Sequence, residues 1–487
     1  MKNKKENLIV LFFIIISITA VSFNYKLEVS DELWNFSNMY KMSQGCTIYK
    51  DLNVIITPLT FYIGELVFRI FGANFLTSKI LNTCIFVIFY FLIYKLFRRL
   101  KLSKLKSGFY TMALYCLMFY IIMTGTNYNI VALIFCLIGI LLMLENKPYW
   151  LQGIIIYLVF MSKQNIGIYY MIGYEIAKLI QTIPNYKNHK TDIKSIIKQM
   201  IIPISMFIGL FAVYLIYLYT QGNLYNFINY AFLGIKEFGR KNLYYNNAVY
   251  ELILTFIAYM TMIFILKYKK FNIKNEVRKN TYLLISFAVP LLLIAYPLIN
   301  QHHVDMAILF SMITIIYVLE KSFLEELTDS KIMNNILKFM VIVFLISTSI
   351  FSIVQNVQYV KELSKYHYYS AYYGALIDDE MKDDINEIIK YINSQENQTI
   401  ILSYYSNLYM NVLNRNNGKM DLPFYGNLGK KGEDGLINEI DNLTNTNLLI
   451  LKEEDILFQE SAKVREHIIE KYEQIGEIGR YKIYKIN

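Results

Sequence analysis

Charge is in short supply in this chain. Acidic and basic residues fill 18% of its 487 positions, while 55% are hydrophobic. Soluble domains carry about 25% charged residues, so the balance argues against a soluble enzyme and for a chain embedded in a membrane. Cysteine is scarcer still. Cys46, Cys84, Cys116 and Cys136 form no C-x-x-C pair, and three of the four stand inside apolar runs, where a thiol reads as a small hydrophobe. Neither a disulfide framework nor a zinc site follows from them. Seven prolines and 21 glycines are too few for a disordered or low-complexity chain. Familiar cofactor signatures are missing as well: there is no Walker-type loop, no G-x-G-x-x-G and no H-E-x-x-H. A nucleotide-sugar drawn from the cytoplasm therefore has no visible site.

What is present is apolar length. Runs at 8–22, 74–97, 109–124, 128–144, 150–162, 166–182, 200–220, 249–267, 282–299, 304–319 and 337–357 read as about eleven transmembrane helices. Several are short against the roughly 20 residues that a bilayer core of about 30 Å requires. The net charge of +10 sits in short basic linkers between those runs, at 95–106, 178–198 and 267–279. Cytoplasmic loops look like this; a nucleic-acid-binding surface does not. The basic start, 1–6, places the N-terminus inside, with the first run an uncleaved helix and not a signal peptide. The stretch 150–183 must then count as a hairpin of two spans. Outside fall the loops 24–73, 125–127, 163–165, 221–248 and 300–303 and the C-terminal tail. The expectation is a multi-pass cell-membrane protein with membrane lipids as its surroundings. The segment 54–72 is apolar but carries Pro58, Gly64, Glu65 and Arg69. It reads as a half-inserted interfacial helix with Glu65 and Arg69 paired on its wet face.

The composition changes near Ala375. Residues 378–394 predict an amphipathic helix with Met381, Ile385, Ile388, Ile389 and Ile392 on one face. Residues 399–403 and 447–451 predict short strands, 458–472 a helix, and 474–478 with 481–486 a hairpin around Gly479-Arg480. The chain thus divides into a membrane domain, 1–365, and a small extracytoplasmic α/β domain, 375–487.

The residues that could carry chemistry fall in the expected outer loops. Ser30-Asp31-Glu32-Leu33-Trp34 predicts an acid-capped surface helix, with Ser30 as N-cap and both acids facing the positive end of the helix dipole. Leu33, Phe36, Met39 and Tyr40 form its apolar face. The same position would hold a carboxylate fixed for general-base work. Adjacent helical residues face different ways, so at most one of Asp31 and Glu32 points into a pocket. Gly45–Asp51 predicts a turn in which Asp51 is a turn acid or a reserve carboxylate. Lys163, at a tight outer turn, either binds a lipid phosphate or snorkels to headgroups. Arg240 and Lys241 read as a second phosphate contact or as solvated loop charges. His302 and His303, with Asp305 close by, are too near in sequence to share one metal ion from a helix and read as a phosphate or sugar contact or as a membrane-interface pair with no role. The tyrosines around 366–373 read as an interfacial belt.

Asp31-Glu32-Leu33-Trp34, the stretch Gly45 to Asp51, Thr57-Pro58-Leu59 and Phe71-Gly72 together resemble the first outer loop of GT-C fold glycosyltransferases. Within that group they are similar to bacterial members related to protein O-mannosyltransferases and aminoarabinose transferases. The detailed likeness covers residues 24–73. It implies an α-helical polytopic GT-C-like fold and inverting transfer of a sugar from a polyprenyl-phosphate carrier to an acceptor glycan, lipid or protein. It implies Asp31 as catalytic base; Glu32 and Asp51 are read from the residues as supporting acids. Lys163, Arg240, Lys241, His302 and His303 would serve the donor phosphate, and Trp34, Tyr49, Asn127 and Asn129 the acceptor or sugar. Many members carry a second acid in the next outer loop; here that loop, 124–129, has none. No metal ligand is assigned, and a divalent cation stays open as a cofactor. No nucleic-acid partner is expected. The alternative is a transporter or flippase, or a non-catalytic scaffold of envelope polysaccharide assembly. A transporter predicts broken helices or polar clusters near the midplane, often in two repeats, and the sequence displays neither.

Overall fold

The computed structural model describes residues 11–12, 14–19, 26–29, 31–118, 121–122, 125–187, 192–238, 249, 252–253, 255–256, 275–296, 299–324, 365–372, 374–403, 405–415, 420, 425–455 and 460–487. Its first part is helical: Asp31–Ser43, Leu59–Phe71, Phe75–Arg99, Lys104–Leu117, Tyr128–Leu144, Tyr149–Ser162, Gln164–Lys187, Ile193–Thr220, Asn275–Leu291 and Gln301–Leu324. Polar side chains fix several starts. Asn74 Oδ1 accepts the Thr77 amide at 2.9 Å, Asn127 Oδ1 that of Asn129 at 2.8 Å, and Asp192 Oδ1 that of Ser195 at 2.8 Å.

Among the described residues, Phe75–Arg99, Ile193–Thr220, Asn275–Ala295 and His302–Lys321 are long and apolar enough to cross a membrane. Tyr128–Leu144 and Tyr149–Ser162 are apolar but shorter. At 1.5 Å per residue their 17 and 14 residues rise about 25 and 21 Å, less than a bilayer core. The count of eleven full spans is therefore not met by the described helices. The runs at 249–267 and 337–357 fall largely or wholly outside them. The hairpin at 150–183 is present, with Lys163 alone between its two helices.

Helices approach closely where glycine allows it. A Cβ on Gly64 would lie 2.2 Å from Met39 Sδ, so glycine gives the Met39 side chain room where the Leu59–Phe71 helix packs on Asp31–Ser43. Tyr170 Oη donates to Gln152 Oε1 at 2.8 Å, and Gln152 Nε2 to the Gly139 carbonyl at 2.9 Å, which ties three helices through one polar knot. The Leu59–Phe71 helix carries the expected ion pair. Arg69 pairs with Glu65 at 2.9 Å, while Leu66, Ile70 and Phe71 are exposed.

The C-terminal part carries a four-stranded sheet of β1 (Gln398–Ile401), β2 (Thr446–Leu451), β3 (Glu473–Ile478) and β4 (Tyr481–Ile486), in the order β1-β2-β4-β3. β1 and β2 are parallel and the other pairs antiparallel. Strand alternation splits the apolar residues between two faces. Ile400, Leu448, Ile450, Tyr484 and Ile486 pack with Leu436, Ile440, Val464 and Ile468. Ile401, Leu449, Leu451, Tyr481 and Ile483 belong instead to the core that continues into the membrane helices. The expected helix at 378–394 is Asp379–Ser394, with Asp378 Oδ1 accepting the Met381 amide at 2.8 Å. The helix expected at 458–472 starts only at Ala462, where Ser461 caps it. Helices Ser406–Leu413 and Gly432–Asp441 go beyond what the sequence pattern predicts.

Candidate active site

The Asp31–Ser43 helix begins with a reciprocal clasp. Glu28 Oε2 accepts the Glu32 amide at 3.0 Å, and Glu32 Oε2 accepts the Glu28 amide at 3.1 Å. This is the logic of a capping box, in which two exposed helix-start amides are satisfied by side chains. Ser30, the expected N-cap, lies outside the described residues. The helix is not the surface helix its acidic start suggests: residues from Glu32 to Met39 are all buried.

The two adjacent acids diverge. Glu32 is 2% exposed and pairs at 3.3 Å with Lys79, itself 1% exposed. Lys79 stands in an apolar run, where sequence gives no sign of its partner. The loop at 125–127 packs against Glu32. Gly125 has φ +70, and a Cβ there would lie 2.8 Å from Glu32 Cγ and 3.2 Å from Glu32 Cα. Glycine is required twice over, for its left-handed backbone and for the close approach.

Asp31 takes the other direction and is half-buried. Burial raises its carboxyl above the ordinary range, and the Lys163 ammonium opposes that rise. Lys163, at the hairpin turn, is pulled down to about 8 by burial, with Asp31 opposing. Lys163 Nζ donates to Asn129 Oδ1 at 2.6 Å and lies 5.1 Å from the centre of the Tyr128 ring. The charge of Asp31 reaches the Tyr128 phenol. His303 and His302 close the group: Lys163 acts electrostatically on His303, and Glu28 on His302. His303 Nδ1 lies 2.7 Å from Asn300 Oδ1, which also accepts the His303 amide at 3.0 Å. A ring N–H donated to that oxygen leaves Nε2 as the free acceptor face.

Other expected residues have internal partners. Tyr49 is fully buried, with Oη donating to the Ile56 carbonyl at 2.8 Å and its ring 5.1 Å from Phe227. Asp51 Oδ2 accepts the Thr47 amide at 2.7 Å and so closes its turn. Trp34 is buried edge-on against Phe61 and Tyr128. Asn127 caps its own helix, and Asn129 holds Lys163. Arg240 and Lys241 lie outside the described residues. Gln164, next to Lys163, carries no signal in the sequence. Its Nε2 donates to the carbonyls of Ile55 at 2.9 Å and Ala231 at 2.8 Å, while Oε1 accepts the Thr57 amide at 3.3 Å. Among the described residues no three His, Cys, Asp or Glu side chains converge to hold a metal ion.

The group sits at one end of the helix bundle. His303 lies in the first turn of Gln301–Leu324, and Glu320 near its other end, about 26 Å away at 1.5 Å per residue. Glu320 pairs with Lys106 of the first basic linker, and Glu276 pairs with Lys101 at 2.7 Å. Asp31 and Lys163 are thus at the end opposite the basic linker. The C-terminal part grips the same helix that carries Asp31. Lys41 donates to Asn407 Oδ1 at 2.9 Å, Asn411 Nδ2 to Ser37 Oγ at 2.6 Å, and Tyr40 Oη to Asn414 Oδ1 at 3.0 Å. Asn407, Asn411 and Asn414 follow helical spacing along one face.

No family model matches the sequence, and no curated protein matches it. A solved structure does match: ArnT from Cupriavidus metallidurans in the apo state, with a TM-score of 0.53 over 98% of this chain and 97% of that one, at 8% identity. At that identity the likeness is one of fold. The likeness of fold to ArnT covers nearly the whole chain, where the resemblance seen in sequence covers residues 24–73.

Proposed function

We propose that this protein is a membrane glycosyltransferase that moves a sugar from a polyprenyl-phosphate carrier to a hydroxyl acceptor at the outer face. The observation that carries the reading is the cluster at one end of an ArnT-like bundle, where Lys163 holds Asn129 beside the Tyr128 ring and the charges of Lys163 and Asp31 act on each other. The acceptor hydroxyl gives its proton to Asp31 as its oxygen bonds to the anomeric carbon. The bond from that carbon to the phosphate oxygen breaks, and polyprenyl phosphate leaves with the electron pair. One displacement inverts the anomeric centre, through an oxocarbenium-like transition state. Polyprenyl phosphate is a good leaving group, so it needs charge stabilisation and no proton. Lys163 supplies it, with His302 and His303 beside it; Arg240 and Lys241 are further proposed contacts. Lys163 ends a helix that rises only about 21 Å from Tyr149, which recesses it toward the depth of a lipid-borne phosphate.

The positive-inside pattern orients this end outward. In the proposed topology the N-terminus is cytoplasmic, residues 1–365 form the membrane domain, and 375–487 cover the site from outside. The test is incubation of the purified chain with a set of polyprenyl-phosphate sugars, measuring release of polyprenyl phosphate. Release with at least one donor is expected. No release from any donor, with and without added acceptor, contradicts the proposal.

A further inference from the structure

A cavity of about 310 Å³ lies between the first outer loop, the 223–233 segment and the Gly432–Asp441 helix. Small-ligand sites start at about 300 Å³, so it holds a short piece of a larger molecule. Its lining is unusual for a surface crevice. Asparagines come from all three sides, at Asn53, Asn226, Asn229, Asn438 and Asn442. Two tyrosine rings, Tyr225 and Tyr230, accompany them. Only one cation, Lys431, and one anion, Glu439, line it. The charges of the lining thus balance, which gives a polyanion no net attraction.

An amide carries donors and an acceptor together, though here Asn229 Oδ1 is engaged by the Lys430 amide and Asn442 Nδ2 by the Asn438 carbonyl. A set of amides therefore matches groups that both donate and accept, which describes hydroxyls. Tyr225 is 67% exposed, so its ring offers an open apolar face with a polar rim, as suits the C–H face of a pyranose.

The walls are fixed before any ligand arrives. Asn229 Oδ1 accepts the Lys430 amide at 2.8 Å, tying the 223–233 segment to the C-terminal part. Gly429 has φ +68, and a Cβ there would lie 2.5 Å from Asn229 Nδ2. Residues Asn229–Leu233 form a π-helical turn, a feature common at functional sites. That turn is anchored by Gln164, which reaches the Ala231 carbonyl at 2.8 Å. Gln164 is the residue after Lys163, so the cavity wall and the proposed phosphate contact share one support.

We propose that this cavity is a binding site for a neutral, hydroxyl-rich oligosaccharide, the portion of an acceptor glycan that trails behind the reacting hydroxyl. Its role toward an acceptor rests on the proposed transferase activity; the binding does not. The experiment uses the full chain in detergent. Saturation-transfer NMR is run with maltohexaose, cellohexaose, chitohexaose and, as an anionic arm, a hyaluronan hexasaccharide. Binding of at least one neutral probe is expected, weakened tenfold or more in Tyr225→Ala and in Asn226→Ala/Asn438→Ala. Release of polyprenyl phosphate to water and the thermal midpoint are expected to stay at wild-type values in both variants, which separates loss of the site from loss of the fold. No binding by any neutral probe, binding by the hyaluronan probe alone, or neutral binding that survives both variants overturns the proposal. If the wild-type chain releases no polyprenyl phosphate, the transferase reading fails while the binding data still decide this site.

Discussion

Replacing Gly125 by alanine should disturb the proposed catalytic helix from outside it. The added Cβ would lie 2.8 Å from Glu32 Cγ, against 3.4 Å at the near limit of ordinary contact, so something must give by about 0.6 Å. The backbone at φ +70 adds left-handed strain of about 1–2 kcal/mol. Overpacking adds about 1–3 kcal/mol more. Gly222 provides a matched control: it has the same φ of +70, and a Cβ there would meet nothing within 4 Å. Gly222→Ala carries the strain alone. Glu32 adjoins Asp31, and misplacement by about 1 Å costs roughly 100-fold in rate. Turnover of a polyprenyl-phosphate sugar should therefore fall about 10- to 100-fold in Gly125→Ala and stay within about twofold in Gly222→Ala. Stability, followed by thermal unfolding in detergent, should drop in both and further in Gly125→Ala. Equal turnover in the two variants would refute the idea that this loop positions the Asp31 helix.

Three other outcomes follow from the same geometry. The profile of kcat/KM against pH should be bell-shaped. Asp31 acts as the carboxylate and is raised by burial, so activity is lost as pH falls through a value above the usual 3.8; Lys163 acts as the ammonium and is lowered to about 8, so activity is lost as pH rises through about 8. Lys163→Arg, which keeps its charge, should remove the basic limb, and a limb that stays places it on another group. Lys79→Met should destabilise the protein by about 3–5 kcal/mol by breaking a buried ion pair, and Glu32→Gln in the same chain should restore folding and most of the activity; an inactive, folded double variant would make Glu32 part of the chemistry. Asn407→Ala/Asn411→Ala should lower kcat with donor KM unchanged, since these side chains hold the helix that carries Asp31; a loss of stability with kcat intact would reduce them to domain glue.

Local signals carried far in this sequence. Asp378 before an amphipathic stretch, Gly479 between two alternating runs, and Glu65 with Arg69 all appear where their chemistry predicts. The divergence of Asp31 and Glu32 also follows from helical geometry alone. What sequence leaves hidden is chiefly long-range. Lys79 becomes meaningful only when the chain brings it to Glu32, and Gln164 only when Ile55 and Ala231 converge on it. Part of the burial of the Asp31–Ser43 helix comes from helix Ser406–Leu413, more than 360 residues away, whose eight residues are too short to declare a period. Asp51 and Tyr49 look like functional groups in a motif, yet one closes a turn and the other fills a core. A polar residue in a loop has many local partners, and only the fold shows which one it takes.

The most direct test of the central claim is Asp31→Asn, assayed for transfer from a polyprenyl-phosphate sugar by the purified protein. The amide keeps the size of the carboxylate but accepts no proton, so turnover should fall by about two to four orders of magnitude while expression, folding and donor binding persist, and the wild-type product should carry the inverted anomeric configuration. An Asp31→Asn protein that retains near-normal turnover would contradict the account.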